Sequence, residues 1–422
     1  MKVDFNTQTS FRGYDARKLK GFLMSYNCYG IADEMMKIGE KEGFKIFMPT
    51  IVNGKPVCKK YSPFALADSK NLWSQDLWTI LKGKLLAFEY SKTTQAIKEF
   101  FNLQYDFTEQ VAHSTEKIKS VNQNLWDLFA EARQPAEQRA RGLDETVNEI
   151  EVKKAELHRL QDDAHIKGGN VFIVRGDNGD ELFIGEEELK KYDILDMQAM
   201  YNVEKVIVLP QMDFHLDLFI RPLDKKRVLI ADDNMTLKVL NEGLERLNSY
   251  INSLPNNKQG KYKKIFTEMS AMIKEFEEEV QCNLLPQTDE VAKILEDNGY
   301  ETIRVPGRFY ETWEGDDDET CLKHYCNYLN ANVLKNRRGN LVYITNKSNI
   351  DKMLGLSSQL SKKIGFSFEQ AFRDAISPYV KNSKIYFVKG HNNYVANEML
   401  TEYQGGIHCA SSEIIDEVQI SD

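Results

Sequence analysis

Short apolar segments alternate with polar residues over positions 17–90 of the chain. Residues 18–27 have the apolar texture of a β-strand, and residues 31–43 have the helical period and end at a glycine. Two further apolar segments, at residues 44–51 and 77–90, have strand composition. The first part of the chain therefore predicts strands that enclose a helix.

Residues 91–163 differ in composition from the segments before them. Glu, Lys, Gln and Ala dominate there, and the stretch contains one proline, Pro135, and one glycine, Gly142. Apolar residues near its end, around Ile150, recur at helical spacing. The stretch is predicted to be a helical insertion, folded as a hairpin that turns near Pro135.

After this insertion, segments with the composition of β-strands occur again, and they recur to the end of the chain. Asp177-Asn178-Gly179 between two apolar segments predicts a β-hairpin. Residues 235–285 have helical periods and form a second predicted helical insertion, divided by a loop at 255–260. A strand–strand–helix–strand order recurs about five times, which favours one α/β domain over residues 1–422.

Composition and net charge limit the functions and cellular locations that the protein is expected to have. The 422 residues carry a net charge of −9, which argues against binding nucleic acid or anionic lipid. Six cysteines without a disulfide-scaffold spacing favour a reducing compartment, and no apolar stretch reaches membrane-spanning length. With no signal-peptide pattern visible, a cytoplasmic location is predicted, and export without a cleaved signal stays open.

A cysteine stands in an unusual setting near the end of the chain. Cys409 follows the Gly405-Gly406 pair and lies directly after His408. Glycines permit a positive φ or a close backbone approach, and a nearby base or positive charge favours the thiolate. This setting makes Cys409 a candidate nucleophile, although a buried cysteine that only packs in a core is the commoner case.

Two other segments carry candidate polar groups. His215-Leu216-Asp217 is predicted to lie on a strand, which would place the imidazole and the carboxylate on one face and Leu216 in the core. Such a pair can act in general acid–base chemistry and in substrate binding. Asp76 stands between Trp73 and Trp78, where it either caps a turn or points into an aromatic-walled pocket.

The order of four motifs resembles the guanidino-group modifying enzymes, a superfamily of arginine, agmatine and protein-arginine deiminases, dimethylarginine hydrolases and amidinotransferases. The motifs are Ser74-Gln-Asp76, Lys167-Gly-Gly-Asn170, Phe214-His-Leu-Asp217 and Gly405-Gly-Ile-His-Cys409. They span most of the chain and omit both helical insertions. The resemblance implies a pentein fold, a five-bladed α/β propeller of ββαβ units with helical insertions. This fold agrees with the strand–strand–helix–strand order that recurs in the sequence.

The resemblance also implies the roles of individual residues. Cys409 would be the nucleophile and His215 the general acid and base, while Asp217 and Asp76 would hold the guanidinium. A planar guanidinium suits this arrangement because paired carboxylates grip it through charge-assisted hydrogen bonds. Attack by the thiolate would give a covalent amidino-thioether on Cys409, which water then hydrolyses to a ureido product.

Further substrate contacts are implied for Asn170 and Asn330, and no cofactor or metal ion is expected. One departure is Lys167, because many deiminases have an acidic residue there that orients the catalytic histidine. His165 or Asp163 could replace it. Arg221, Arg304 and Arg308 are candidates for binding the carboxylate of a free amino acid.

Several alternatives stay open at this stage. The substrate could be free arginine, agmatine or arginine in a protein, and an amine in place of water would make the enzyme an amidinotransferase. A non-catalytic pentein that binds a protein partner through insertion 91–163 is a different class of function. Finally, Cys321, His324 and Cys326 offer three metal-type ligands, but no second ligand cluster accompanies them, so a chance pattern on a helix is favoured.

Overall fold

A computed structural model of the chain describes residues 19–24, 30–62, 78–81, 84–87, 92–105, 109–135, 142–164, 166, 168–175, 179–283, 285–314, 320–390 and 405–415. All structural statements below refer to these residues.

The strands are β1 (Leu19–Leu23), β2 (Lys45–Val52), β3 (Lys55–Lys60), β4 (Trp78–Leu81), β5 (Lys84–Ala87), β6 (Gln104–Tyr105), β7 (Val171–Arg175), β8 (Asp180–Gly185), β9 (Lys205–Leu209), β10 (Ile220–Pro222), β11 (Arg227–Ala231), β12 (Glu301–Val305), β13 (Arg308–Glu314), β14 (Thr320–Asn327), β15 (Ala331–Lys335), β16 (Leu341–Asn346), β17 (Ile385–Val388) and β18 (Ser412–Ile415).

The α-helices are α1 (Ile31–Glu42), α2 (Lys92–Phe100), α3 (Glu109–Ala132), α4 (Leu143–Ala164), α5 (Ile194–Tyr201), α6 (Asp233–Asn252), α7 (Asn256–Asn283), α8 (Leu285–Asp297), α9 (Ile350–Met353), α10 (Ser358–Ile364) and α11 (Phe368–Ile376). No helix among the described residues is long and apolar enough to cross a membrane.

One connection recurs among the described sheets: an antiparallel strand pair, then helix, then a strand parallel to the second of the pair. In β7–β9, for example, β7 pairs antiparallel with β8, and β9 returns parallel to β8 after α5. The same order is found in β4–β6, in β10–β12 and in β15–β17. The repeated ββαβ order predicted from the sequence is therefore present in the mixed α/β fold.

The fifth copy of this unit joins the two ends of the chain. Its first strand is β18, which pairs antiparallel with β1, and β2 follows parallel to β1 after α1. Strand β3 extends this sheet from β2. Because β18 begins at Ser412, three residues after Cys409, this closure fixes the candidate nucleophile against the N-terminal unit.

The two predicted insertions differ in their relation to these units. Within residues 91–163, helix α2 lies between β5 and β6 and belongs to a ββαβ unit, so the additional helices are the α3–α4 pair. This pair packs through a small apolar seam of its own that includes Leu125 and Ile150, whereas Trp126 is 67% exposed. The predicted binding of a protein partner to this insertion stays a prediction.

Residues 235–285 cover most of α6 and α7, which with α8 connect β11 to β12. The loop predicted at 255–260 is wrong, because α7 begins at Asn256. The Lys258 N–H donates to the Pro255 carbonyl at 2.8 Å, so the proline precedes the first turn, where its missing N–H costs nothing.

The helix predicted for Cys321 to Cys326 is also wrong. These residues lie on β14, which pairs antiparallel with β13. His324 and Cys326 are fully buried, and His324 Nε2 lies 2.7 Å from Asp213 Oδ2. A buried carboxylate therefore partners this histidine, and Cys326 contacts the Gly307 carbonyl at 3.9 Å.

Candidate active site

Asp217 lies in a single 3-10 turn, Leu216–Leu218, and His215 directly precedes this turn, so neither residue is on the predicted strand. The turn forms because the Leu218 and Phe219 N–H groups donate to the His215 and Leu216 carbonyls. Leu216 is fully buried in the largest apolar core, as expected. Both polar side chains are nevertheless close together, with His215 Nδ1 4.0 Å from Asp217 Oδ1.

Asn170 holds this turn in place. Its Oδ1 accepts the Leu216 N–H at 2.9 Å, and its Nδ2 donates to Glu188 Oε1 at 2.9 Å. The preceding residue, Gly169, packs so closely on His215 that a Cβ atom would overlap the imidazole Nδ1. In this structure, Asn170 and Gly169 therefore fix the position of the His215 turn.

Cys409 lies on a tight turn just before β18. The Ala410 N–H donates to the Gly406 carbonyl at 3.0 Å, and the Ser411 N–H to the His408 carbonyl at 3.1 Å. Ile407 and Ala410 are buried in the core that packs around β1 and β2. The His215 turn is anchored in a different core, so the two candidate segments meet where the cores adjoin.

Asparagine side chains secure the Cys409 turn from the side of β15 and β16. Asn346 Oδ1 accepts the Ile407 N–H at 2.8 Å, and Asn330 Oδ1 accepts the His408 N–H at 2.9 Å. A Cβ atom on Gly406 would lie 2.5 Å from Asn330 Oδ1. Close approach, and not a positive φ, is therefore the reason for glycine at position 406.

The turns bring Cys409, His215 and Asp217 into one buried cluster. Their side-chain ligand atoms all lie within 4.8 Å of one another. The Cys409 thiol donates to Asp217 Oδ2 at 3.3 Å, and Asn330 Nδ2 donates to Cys409 Sγ at 3.0 Å. The three residues are at most 5% exposed, so charge interactions among them are weakly screened by water.

His408 is a fourth member of the cluster that sequence reasoning did not select. Its Nδ1 lies 2.7 Å from Asp217 Oδ2, and its ring stacks on Phe172 with the centroids 5.5 Å apart. Burial, the Arg221 guanidinium and His215 hold the pKa of His408 well below its usual value. A neutral His408 with its proton on Nδ1 can therefore donate to the Asp217 carboxylate.

Arg221 lies behind this layer and is almost fully buried. Its Nη2 is 3.4 Å from Glu413 Oε1, and its guanidinium lies over the Phe172 ring at 5.3 Å. A small cavity of about 20 Å³ lies on the same side, between Trp78, Gly168 and His408. The cluster is therefore tightly enclosed as well as charged.

Asn330 owes its orientation to Asn327. The Asn327 Oδ1 accepts the N–H groups of Leu329 and Asn330 at 3.0 and 3.2 Å, and its Nδ2 donates to the Leu218 carbonyl at 2.8 Å. This one side chain therefore connects the Asn330 segment to the end of the His215 turn. The run of three asparagines at 327, 330 and 332 was the available signal for such a network.

All three arginines considered for a substrate carboxylate have carboxylate partners. Arg308 makes a bidentate pair with Asp233 at 2.9 and 2.8 Å in the core, and Arg304 pairs with Asp289 at 2.6 Å. Arg221 contacts Glu413, as above. Asp76, Lys167 and His165 lie outside the described residues, as does the side chain of Asp163, and their predicted roles stay predictions.

Comparisons with known proteins add one similarity. No protein-family model matches the chain, and no curated protein sequence does. Among solved structures, an agmatine deiminase from C. jejuni aligns with 97% of this chain and 96% of its own, at 12% sequence identity and a TM-score of 0.45.

Proposed function

We propose that the chain is a cysteine-dependent hydrolase that acts on a guanidinium group, most simply a deiminase of arginine, agmatine or arginine in a peptide. The observation that carries the proposal is the buried cluster of Cys409, Asp217 and His215, with ligand atoms within 4.8 Å. It unites a nucleophile, a carboxylate and an acid–base group, which are the groups that this reaction requires. We further propose that the ββαβ units form a pentein propeller around this cluster.

Substrate binding would begin at Asp217. A guanidinium N–H donating to Asp217 Oδ2 would take the oxygen that now accepts the Cys409 thiol at 3.3 Å. The guanidinium carbon would then lie near Sγ, because one carboxylate oxygen faces both groups. Asp76 is proposed as the second carboxylate of the grip, in line with the motif that precedes β4.

The neutral imidazole of His408 would keep Asp217 ready for this contact. Because His408 donates from Nδ1 at 2.7 Å, the carboxylate is oriented without gaining a competing positive charge. Asn330 Nδ2 would stabilise the thiolate, since it already donates to Sγ at 3.0 Å. His408 thus extends the set of functional residues predicted from the sequence, and Asn330, predicted there as a substrate contact, takes a role at the thiolate instead.

The chemical steps follow from these positions. The Cys409 thiol would pass its proton to His215, and the thiolate would attack the guanidinium carbon; the tetrahedral adduct would then expel ammonia as His215 gives this proton to the leaving nitrogen. His215 would next accept a proton from water as the water attacks the amidino-thioether. Cleavage of the C–S bond would release the ureido product, and the proton held by His215 would restore the thiol.

An assay of the purified chain with arginine, agmatine and an arginine-containing peptide tests this proposal. We expect a ureido product and ammonia in equal amounts from at least one of the three. Transfer of the amidino group to an added amine, with no ammonia released, would instead identify an amidinotransferase. Absence of turnover with all three in a folded sample would contradict the hydrolase and favour a non-catalytic role.

A further inference from the structure

Two side chains of β14 hold the segment that carries His215. His324 Nε2 lies 2.7 Å from Asp213 Oδ2, and Asp213 precedes His215 by two positions. At the other end of the segment, Asn327 Nδ2 donates to the Leu218 carbonyl at 2.8 Å. One strand therefore fixes the backbone both before and after His215.

The pair of Asp213 and His324 is buried, with side chains 2% and 0% exposed. A carboxylate only accepts hydrogen bonds, so the imidazole donates from Nε2. The other carboxylate oxygen, Asp213 Oδ1, accepts the Phe214 N–H at 2.8 Å. Through Asp213, His324 therefore restrains the backbone directly before His215.

One tautomer of His324 suits both of its polar neighbours. Its Nδ1 lies 3.5 Å from Asn327 Nδ2, an amide nitrogen that already donates to the Leu218 carbonyl. A proton on Nδ1 would face this donor, whereas a proton on Nε2 is accepted by Asp213. The hydrogen bond between the two buried side chains thus runs from His324 to Asp213.

The His215 ring is closely packed, so a shift of the backbone before it would displace the ring. Its centroid lies 4.6 Å from that of Phe214, the residue whose N–H Asp213 accepts. A Cβ atom on Gly169 would lie 2.3 Å from the imidazole Nδ1. Misplacing a reacting group by about 1 Å can lower a rate about a hundredfold.

Asp217, the proposed guanidinium-binding carboxylate, is held by other contacts. His408 Nδ1 lies 2.7 Å from its Oδ2, and the carbonyl of the next residue, Leu218, accepts from Asn327. Loss of the aspartate–histidine pair would therefore move the acid–base group more than the substrate-binding carboxylate.

We propose that His324 is a positioning residue for the reaction, because through Asp213 it keeps His215 within reach of Cys409. The inference rests on the proposed hydrolase, in which His215 accepts the thiol proton. It also gives a role to the histidine of the 321–326 motif, as a buried hydrogen-bond donor in place of a metal ligand.

Steady-state kinetics of His324→Leu and His324→Gln test the proposal, with whichever of arginine, agmatine and the arginine-containing peptide is turned over. We expect kcat of His324→Leu to fall roughly a hundredfold, with KM changed less than about twofold because Asp217 stays in place. His324→Gln should be at least about tenfold faster than His324→Leu, since its amide nitrogen can reach the position of Nε2 and donate to Asp213.

Alkylation of Cys409 by iodoacetamide separates this proposal from the hydrolase, because it requires no turnover. In His324→Leu, alkylation at neutral pH should slow roughly tenfold, since a displaced His215 no longer takes the thiol proton. This slowing, together with no turnover by the unaltered chain, would reject the hydrolase and support the positioning of His215. If His324→Leu does not fold, Asp213→Asn gives the same test, because one amide oxygen cannot accept from both His324 and Phe214.

Tyr300→Phe is the matched control, because it also removes a buried donor to a carboxylate, Glu181 at 2.8 Å, and lies outside the cluster. It should leave kcat and the alkylation rate unchanged. The proposal would be overturned by unchanged kcat and alkylation in folded His324→Leu or Asp213→Asn. Equal losses in His324→Leu and His324→Gln would overturn it as well.

Discussion

His408 Nδ1 lies 2.7 Å from Asp217 Oδ2, the same carboxylate oxygen that accepts the Cys409 thiol. One oxygen atom therefore connects a buried neutral imidazole to the candidate nucleophile. In the proposed mechanism, the neighbouring residues 408 and 409 have different roles, because His408 orients the Asp217 carboxylate and Cys409 attacks the substrate. This relationship leads to the first prediction.

The lowered pKa of His408 makes the stability of the protein depend on pH. At pH values between the folded-state pKa of His408 and its usual pKa of 6.5, the unfolded chain binds a proton at this residue that the folded chain does not. The free energy of unfolding should therefore rise with pH across this window, by up to about 1.4 kcal/mol per pH unit. Urea denaturation of the unaltered chain and of His408→Gln, between about pH 5 and pH 8, measures this slope. The variant should lose it, and an identical slope in both proteins would contradict the buried neutral state.

The amide of Asn330 is predicted to favour the thiolate of Cys409. Asn330→Asp keeps the oxygen that accepts the His408 N–H but replaces the donor to Sγ with a like charge. We expect alkylation of Cys409 by iodoacetamide at neutral pH to slow roughly tenfold, as read by mass spectrometry of its peptide.

Asn346→Asp is the matched control for this experiment. Asn346 also accepts a backbone N–H of the Cys409 turn, from Ile407, so the aspartate adds a similar charge to the same turn. Its effect on alkylation should be smaller, because the donor to Sγ remains. Equal slowing by the two variants would mean that the Asn330 amide has no special effect on the thiol.

Gly169 is predicted to be required for the position of His215. Because a Cβ atom would overlap the imidazole Nδ1, Gly169→Ala should displace the ring and lower turnover by about a hundredfold. Gly142→Ala is the control, since no atom lies within 4 Å of its added Cβ. Steady-state rates with the guanidino substrate, together with thermal unfolding, test the difference. Unchanged turnover in a folded Gly169→Ala protein would show that the ring position does not matter.

The buried pair of Arg308 and Asp233 is predicted to be needed for stability. Asp233 also accepts the Tyr310 hydroxyl at 2.9 Å, so Asp233→Asn would leave Arg308 without its buried counter-charge. We expect a loss of about 3–5 kcal/mol in the free energy of unfolding, measured with urea. Asp289→Asn breaks the exposed pair with Arg304 and should cost about 0–1 kcal/mol. Similar losses in the two variants would contradict the role of burial.

The sequence predicted most strands of the fold because period and turn residues are local signals. Strand β2 and helix α1 lie where the apolar pattern placed them, and the hairpin signal at Asp177-Asn178-Gly179 does separate β7 from β8. The His215 turn was misread because its short apolar segment resembles a strand. Its actual shape depends on Asn170, which is distant in sequence and holds the Leu216 N–H.

From the sequence, the site residues that could be predicted were those whose type and motif indicate a chemical role. Cys409, His215 and Asp217 were selected from their residue types, and the structure brings these three together. His408 and Asn327 could not be assigned tasks, because a contact between residues about 190 positions apart, such as His408 with Asp217, leaves no mark in local spacing.

The most direct test of the central claim compares Cys409→Ala with Cys58→Ala in the assay for ureido product. Cys58 is also a free, buried cysteine, but it lies on β3 outside the cluster, so its variant controls for loss of a buried thiol. We predict that Cys409→Ala abolishes product formation while Cys58→Ala retains it. Product formation by Cys409→Ala at the rate of the unaltered chain would contradict nucleophilic catalysis by Cys409.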